Sequence, residues 1–305
     1  MNMRSSYHNK PIFLIAFILL IPLLLIFPSG QGLTSKPPEI NWMVGPGKVD
    51  LGEDVAQVGI GEEHLFANAE DTRKIVEYMG DIPRKSDVGM VMPKDSSAGW
   101  YIIFDYHPIG YIKDDEKDKI DAKALLKSIQ KANEEANKLR RQKSLPILNV
   151  TGWYQEPHYD SQSHHLVWAI LGEGEDGRKV VNYNVRLLGR QGFMSVVLVT
   201  DPSTFDQYKP EINSIISDFS YKKGKSYLEF VKGDKIAEYG LTALIVGGAG
   251  AVAAKAGFFK ILAKAWKAVA AGVIALFAAV WKIIKSVWRK REDPYALPRK
   301  GGVIK

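Results

Sequence analysis

"HHLVWAILGEGEDGRKVVNYNVRLLGRQGFMSVVLVT", residues 164–200, sets the architecture of this chain. It begins with an alternation that places Leu166, Trp168 and Ile170 on one face of a strand. The Asp-Gly pair at 176–177 favours a tight hairpin turn, and a second glycine-flanked turn precedes the last apolar run. Three strands joined by two short turns indicate a β-meander, so the pattern predicts an antiparallel sheet.

The middle strand of this meander has two chemically different faces. One face is apolar and is expected to belong to the core; it carries Val181, Tyr183, Val185 and Leu187. The other face is polar and carries Asn182, Asn184 and Arg186. A polar face of this kind is either a binding surface or a solvated side of the sheet, and the sequence favours the solvated side.

Helices and further strands surround the meander. The segment 121–142 predicts the longest helix, with Asp121 as its N-cap. One stripe of this helix is expected to be buried: Leu125, Ile129, Ala132, Ala136 and Leu139. Other segments read as strands at 57–68, 99–107 and 147–154 and as helices at 69–80 and 201–219. Together they predict an α+β domain in which helices pack on an antiparallel β-sheet.

The formal net charge of +7 is distributed unevenly along the chain. Residues 1–30 carry a charge of +2, and residues 239–305 carry twelve lysines and arginines against two acidic residues. Residues 31–238 contain 27 basic and 32 acidic residues, a net charge of −5. Since a nucleic-acid-binding face needs clustered positive charge, these counts disfavour nucleic acid as a partner.

The chain contains no cysteine, which excludes disulfide bonds, cysteine-based zinc sites and thiol catalysis. It also contains no phosphate-binding glycine pattern and no G-x-S-x-G or H-E-x-x-H motif. The sequence therefore indicates no cofactor, and it assigns no catalytic residues.

An uncharged run near the start, "PIFLIAFILLIPLLLIFP" (11–28), follows Arg4 and Lys10. Positive residues before an apolar run are typical of a secretory signal or of an uncleaved signal-anchor. The run is intermediate in length, because about 20 apolar residues span a bilayer, and no clear A-x-A cleavage site follows it. Both interpretations place the next residues outside the cytoplasm.

The C-terminal region, 239–291, alternates apolar runs with basic residues. Its first run, "GLTALIVGGAGAVAAKAG" (240–257), is rich in glycine and alanine, and Ala243, Gly247 and Ala251 recur at every fourth position. Small residues at this spacing favour close packing against another membrane helix, in this chain or in a second copy.

A second apolar run, 268–284, is followed by a basic cluster at 289–291. In the favoured topology only this run spans the membrane, and the basic cluster is cytoplasmic. In the alternative, 240–254 enters the membrane and 268–284 returns. The alternative places the basic cluster outside, against the tendency of positive residues to stay inside.

These features divide the chain into four regions: 1–30, a signal peptide or signal-anchor; 31–238, an extracytoplasmic α+β domain; 239–291, a membrane region with a transmembrane helical segment; and 292–305, a cytoplasmic tail. The expected location is the cell membrane, with the main domain extracytoplasmic. The expected partners are the lipid bilayer and either a protein or a second copy, contacted through the Gly/Ala-rich helix.

The segment "GWYQEPHYDSQSHHLVWAIL" (152–171) contains three of the six histidines. His158, Asp160 and His164 are of the residue types that bind zinc or manganese. Their spacing matches no helical i,i+4 pair, and Pro157 with the Asp-Ser-Gln-Ser run is typical of a turn. A strand–turn–strand is the favoured interpretation, and a metal site is the alternative.

Four stretches carry a resemblance to a known family: "GYIKDDEKDKIDAKALL" (110–126), "GWYQEPHYDSQSHHLVWA" (152–169), "VNYNVRLLGRQGFMSVVLV" (181–199) and "GDKIAEYGLTALIVGGAGAVAAKAG" (233–257). Together they resemble a bacterial family of predicted membrane-anchored proteins that is catalogued only as a domain of unknown function. The resemblance implies an envelope location and an anchor, and it implies no activity. The meander and the segment 201–221 are similar to the end of small secreted domains of the Mog1/PsbP-like type.

The favoured function is that of a non-enzymatic, membrane-anchored envelope protein whose extracytoplasmic domain binds a partner or stabilises an assembly. The alternative is a metal-dependent envelope hydrolase that uses His158, Asp160 and His164.

Overall fold

The computed structural model describes residues 37–247 of the chain. The predicted run 11–28, the run 268–284 and the basic cluster at 289–291 lie outside the described residues. The described part forms these strands and helices in chain order: β1 (Met43–Val44), β2 (Gly47–Leu51), β3 (Ala56–Ile60), β4 (His64–Asn68), α1 (Ala69–Tyr78), β5 (Asp87–Pro93), β6 (Tyr101–His107), α2 (Ala122–Gln142), β7 (Leu148–Asp160), β8 (His165–Gly174), β9 (Lys179–Gly189), β10 (Gly192–Thr200), α3 (Phe205–Ser217), β11 (Ser220–Tyr221) and α4 (Leu241–Val246).

Eight of the strands form one sheet in the order β1-β4-β5-β6-β10-β9-β8-β7. The remaining three form a smaller sheet in the order β11-β3-β2. All of these strand pairs are antiparallel. The predicted α+β class with an antiparallel sheet is confirmed.

The predicted meander is the part of the large sheet formed by β8, β9 and β10. Its first turn places Gly177 at a φ of 77°, a conformation that glycine adopts without steric cost. Its second turn brings Gly192 so close to β6 that a Cβ atom there would lie 1.9 Å from the carbonyl oxygen of His107. Glycine at this position therefore allows β10 to start directly beside the end of β6.

One face of the large sheet is covered by the small sheet and α3. The helix contributes Phe205, Ile212 and Ile215 to this core. The apolar face predicted for β9 points into the same core, with Val181, Tyr183, Val185 and Leu187 all buried.

The opposite face of the large sheet is covered by α1, α2 and α4. Ile75 and Val76 of α1 pack over the strands β4, β5, β6 and β10. Leu125 and Ile129 of α2 pack in one cluster with Leu166 and Trp168 of β8, as the sequence predicts. Two apolar clusters therefore lie side by side on this face.

The predicted N-cap of α2 is confirmed, because Asp121 accepts a hydrogen bond from the amide of Ala124 (3.0 Å). The predicted buried stripe is confirmed at Leu125, Ile129 and Ala136. Ala132 and Leu139 are only half-buried, and the neighbouring Asn133 and Asn137 are buried instead. The helix therefore buries a mixed stripe over β7, and its asparagines hydrogen-bond to the backbone of that strand.

The described domain continues beyond residue 238, because α4 packs within it. Leu241, Leu244 and Ile245 are buried in the cluster that α2 covers. Gly247 follows with a φ of 88°, a left-handed conformation that ends the helix. The predicted face of small residues is thus interrupted at Gly247, and Ala251 lies outside the described residues. None of the helices within 37–247 combines the length and the hydropathy needed to cross a bilayer.

Candidate functional site

The histidine-rich segment forms the β7–β8 hairpin, so the predicted strand–turn–strand is confirmed. His158 is exposed on β7. Asp160 closes the turn, because its Oδ2 accepts from the hydroxyl of Ser163 (2.7 Å) and its Oδ1 accepts from the amide of Gln162 (2.9 Å). These two hydrogen bonds hold the pKa of Asp160 below its usual range.

His164 lies on a different side of this hairpin from His158. Its ring lies 4.3 Å from that of Tyr227, and its Nδ1 is 3.1 Å from the hydroxyl of Tyr159. Adjacent residues of a strand point to opposite faces, so Tyr159 and His158 point apart. Within 37–247, no three His, Cys, Asp or Glu side chains are placed to hold a metal ion. The alternative metal site on His158, Asp160 and His164 is therefore not formed.

The polar face of β9 is buried, and the prediction of a solvated face is wrong. Asn182 and Asn184 are both buried. The guanidinium carbon of Arg186 lies 4.6 Å from the ring centre of Trp168 and 5.7 Å from that of Phe193. This face lies between the two apolar clusters beneath α1, α2 and α4. Alternation within one strand does not reveal helices that pack onto it from elsewhere in the chain.

A second arginine joins two buried carboxylates on the same face of the sheet. Arg84 Nε lies 3.1 Å from Asp87 Oδ1, and Arg84 Nη2 lies 3.1 Å from Asp105 Oδ1. The amide of Arg84 also donates to Asp87 Oδ2 (2.7 Å). Ser195 of β10 lies directly between Asp105 on β6 and Arg186 on β9. The described residues thus contain a buried polar row: Arg84, Asp87, Asp105, Ser195, Arg186 and Asn184.

The two carboxylates of the polar row have different proton affinities. Burial raises the pKa of Asp87 from 3.8 to about 7. Burial acts on Asp105 in the same sense and is the largest single influence. The charge of Arg84 and the hydrogen bond with Asp87, together with the weaker effects of His107 and Arg186, outweigh it and hold the pKa of Asp105 below its usual range. Desolvation also lowers the pKa of Arg186 to about 10. Such a split between neighbouring acids is seen in catalytic pairs and also in structural ion-pair networks.

The exposure of the two carboxylates to solvent distinguishes a catalytic role from a structural one. Asp87 and Asp105 are both 0% exposed, so a substrate cannot reach either carboxylate in this arrangement. The polar row is therefore structural here: Arg84 joins β5 and β6 through its ion pairs with Asp87 and Asp105. The row carries no recognisable motif, and the only sequence signal for it is Asp105 inside the apolar run "YIIFDYH" (101–107).

Exposed apolar side chains occur together at one place after the meander. We call this the apolar loop and define it by Leu228, Phe230, Val231 and Ile236, which are 81%, 38%, 51% and 40% exposed. Tyr111 lies beneath it, with its ring 4.3 Å from that of Phe230 and its backbone bridged to Ile236. Periodicity does not mark this surface, because the loop has neither helical nor strand spacing.

Comparison with known proteins gives a family match over most of the chain. A family model described as "Protein of unknown function (DUF2167)" matches residues 43–279. No curated protein matches. Among solved structures, the solution structure of cyanobacterial PsbP (CyanoP) from Synechocystis sp. PCC 6803 is similar, with a TM-score of 0.37 and 10% identity over 64% of this chain and 99% of that chain.

Proposed function

This chain belongs to the DUF2167 family of proteins of unknown function, and from that premise we propose that it is a membrane-anchored protein of the cell envelope. Its α+β domain lies outside the cytoplasm and binds a protein partner or stabilises an assembly. The predicted membrane region that follows α4, 248–291, holds the domain at the bilayer, and the tail at 292–305 is cytoplasmic.

The observation that carries this proposal is the division of charge along the chain. Residues 31–238 have a net charge of −5, whereas the apolar runs near both ends are flanked by lysines and arginines. Positive residues beside apolar runs stay on the cytoplasmic side of a membrane. Arg4, Lys10 and the basic cluster at 289–291 therefore favour a cytoplasmic position for both ends and an outer position for the domain.

Binding is favoured over catalysis by the way the domain uses its polar groups. The carboxylates with shifted pKa values, Asp87 and Asp105, are sealed inside the sheet. Asp160 is committed to a turn. The unusual feature of the described surface is instead apolar: the apolar loop at 228–236. Clustered exposed apolar side chains are typical of surfaces that contact a protein or a membrane.

Membrane extraction and proteolysis test the proposal together. Cells that produce the full chain are fractionated, and the membranes are washed with alkaline carbonate. We expect the chain to stay with the membranes and a protease added outside spheroplasts to remove the domain. A chain that the wash releases, or one that the external protease leaves intact, contradicts the proposal.

A further inference from the structure

The segment 222–236 combines exposed apolar side chains with lysines. It contains the apolar loop and, around it, Lys222, Lys223, Lys225, Lys232 and Lys235. Its only acidic residues are Glu229 and Asp234. Within a domain that is acidic as a whole, this segment is therefore locally positive.

Both acidic residues of the segment are engaged by neighbouring groups. Asp234 forms a two-fold ion pair with Arg190, at 2.7 and 2.8 Å. Glu229 accepts from the amides of Gly224 (3.0 Å) and Ser226 (2.9 Å). The lysines at 232 and 235 are exposed. Lys222 and Lys225 pair with Asp50 and Asp54, at 3.0 and 3.8 Å. The positive charge that the segment presents outward therefore comes from the exposed Lys223, Lys232 and Lys235.

The apolar loop is held in place by its surroundings. A capping box between Ser226 and Glu229 fixes a single 3₁₀ turn, Tyr227–Glu229. The hydroxyl of Tyr227 donates to the backbone oxygen of Ile112 (2.9 Å). The ring of Tyr227 stacks on Tyr111 at 4.5 Å. The structure thus presents the apolar side chains from a fixed scaffold, so less ordering remains to be done on contact with a surface.

The apolar loop also lies close to the predicted membrane region along the chain. Only residues 237–247 separate it from the glycine- and alanine-rich sequence that follows. The first turn of α4 contacts the segment that supports the loop, because the amide and hydroxyl of Thr242 donate to Glu116 (3.2 and 2.6 Å). A bilayer that holds 248–291 would therefore be near this side of the domain.

We propose that the segment 222–236 rests on the bilayer, with Leu228, Phe230, Val231 and Ile236 in the interfacial layer and Lys232 and Lys235 among anionic headgroups. Apolar side chains gain free energy by leaving water at this depth, and lysines beside them gain from the negative surface potential. The inference rests on the proposed membrane anchoring and adds an orientation: the domain lies on the membrane by this edge rather than standing away from it.

A site-specific fluorescent probe tests this orientation in the full chain. The chain has no cysteine, so Leu228→Cys can be labelled with an NBD fluorophore without further changes. Val44→Cys is the matched control, because Val44 is apolar and 60% exposed but lies on β1, at the far end of the sheet order. The chain is placed in nanodiscs of phosphatidylcholine with and without phosphatidylglycerol.

We expect a nitroxide attached to the lipid to quench the probe at 228 several-fold more than the probe at 44, most strongly in the anionic discs. Lys232→Glu combined with Lys235→Glu should reduce that quenching several-fold. Lys85→Glu combined with Lys94→Glu, exposed lysines on either side of β5, should leave it unchanged.

Three results would overturn the inference. One is a probe at 228 that aqueous iodide reaches as easily as the probe at 44. Another is a probe that is shielded from iodide but not quenched from the lipid, which indicates a protein partner or a second copy instead. The third is quenching that is insensitive to the Lys232 and Lys235 reversals. A chain that does not enter the discs at all contradicts the proposed anchoring, so the two failures are distinguishable.

Discussion

Arg84 is the residue on which the buried polar row depends. It is the shared partner of Asp87 and Asp105, and both carboxylates are fully buried. A buried ion pair adds little net stability over an apolar pair, but a buried charge left without its partner is strongly unfavourable. The role of Arg84 is therefore to make two buried acids tolerable and to fix which strands lie beside each other.

Replacing Arg84 by methionine should lower the free energy of unfolding by about 3–5 kcal/mol, because the variant leaves buried charge uncompensated. The measurement is urea unfolding of the full chain in detergent, followed by tryptophan fluorescence. Lys138→Ala is the control: Lys138 pairs with Glu135 at 2.7 Å on the exposed side of α2, and removal of such a pair costs under about 1 kcal/mol. Equal effects of the two substitutions would show that the polar row is not structural.

Asp87 should make the stability of the protein depend on pH. Its pKa is raised from 3.8 to about 7, so the folded chain keeps a proton that the unfolded chain has already lost. Since the folded state then binds more protons, the free energy of unfolding falls as the pH rises from about 4 to about 7. Asp105 contributes in the opposite sense, because its pKa is lowered and its contribution is lost at acidic pH.

The substitution Asp87→Asn removes this titration, so the decline between about pH 4 and 7 should flatten in the variant. Urea unfolding at several pH values checks this for the variant and the parent in parallel. If both proteins lose stability equally across the window, Asp87 is not the group responsible.

At the scale of secondary-structure elements, α2 completes the edge of the large sheet. β7 is the last strand in the order, so one side of its backbone has no strand partner among residues 37–247. Asn137 donates from Nδ2 to the oxygen of Leu148 (2.8 Å), and Asn133 Oδ1 accepts from the amide of Val150 (3.1 Å). Buried side-chain amides of the helix thus satisfy backbone groups that an edge strand leaves open.

Replacing Asn137 by leucine should destabilise the fold by about 1–3 kcal/mol, because the backbone of Leu148 then loses buried partners. Glu134→Gln, on the exposed side of the same helix, should change stability by less than about 0.5 kcal/mol. Hydrogen exchange gives a second readout, since the amides of β7 should lose protection in the leucine variant alone. Unchanged protection would mean that the asparagines only fill space.

Periodicity predicted the elements whose faces are simple. Spacing alone predicted the apolar face of β9, the meander and the first half of α2, because their apolar side chains are buried in the core. The buried asparagines of α2 and the polar face of β9 did not follow, since a polar residue can be buried when its partner comes from a distant segment. Asp105 meets Arg84 and Asp87 only after folding, and the one local signal for the group is the position of Asp105 inside an apolar run.

At the scale of the whole molecule, the chain combines an acidic domain with positively flanked apolar runs. The family match spans the domain and extends to residue 279, so the domain and the C-terminal apolar region occur together in the family's pattern. We propose that the domain lies outside the cytoplasm, with the edge at 222–236 toward the bilayer.

The most direct test of this account is cysteine labelling in living cells. Two single-cysteine variants of the full, cysteine-free chain are compared: Glu134→Cys, which lies exposed on α2, and Tyr295→Cys, in the predicted tail. A maleimide that cannot cross membranes is added to spheroplasts and, separately, to lysed cells. We expect the cysteine at position 134 to react with the maleimide in intact spheroplasts and the cysteine at position 295 to react only after lysis. Labelling of 295 before lysis would support the membrane hairpin instead, and no labelling of 134 before lysis would contradict an extracytoplasmic domain.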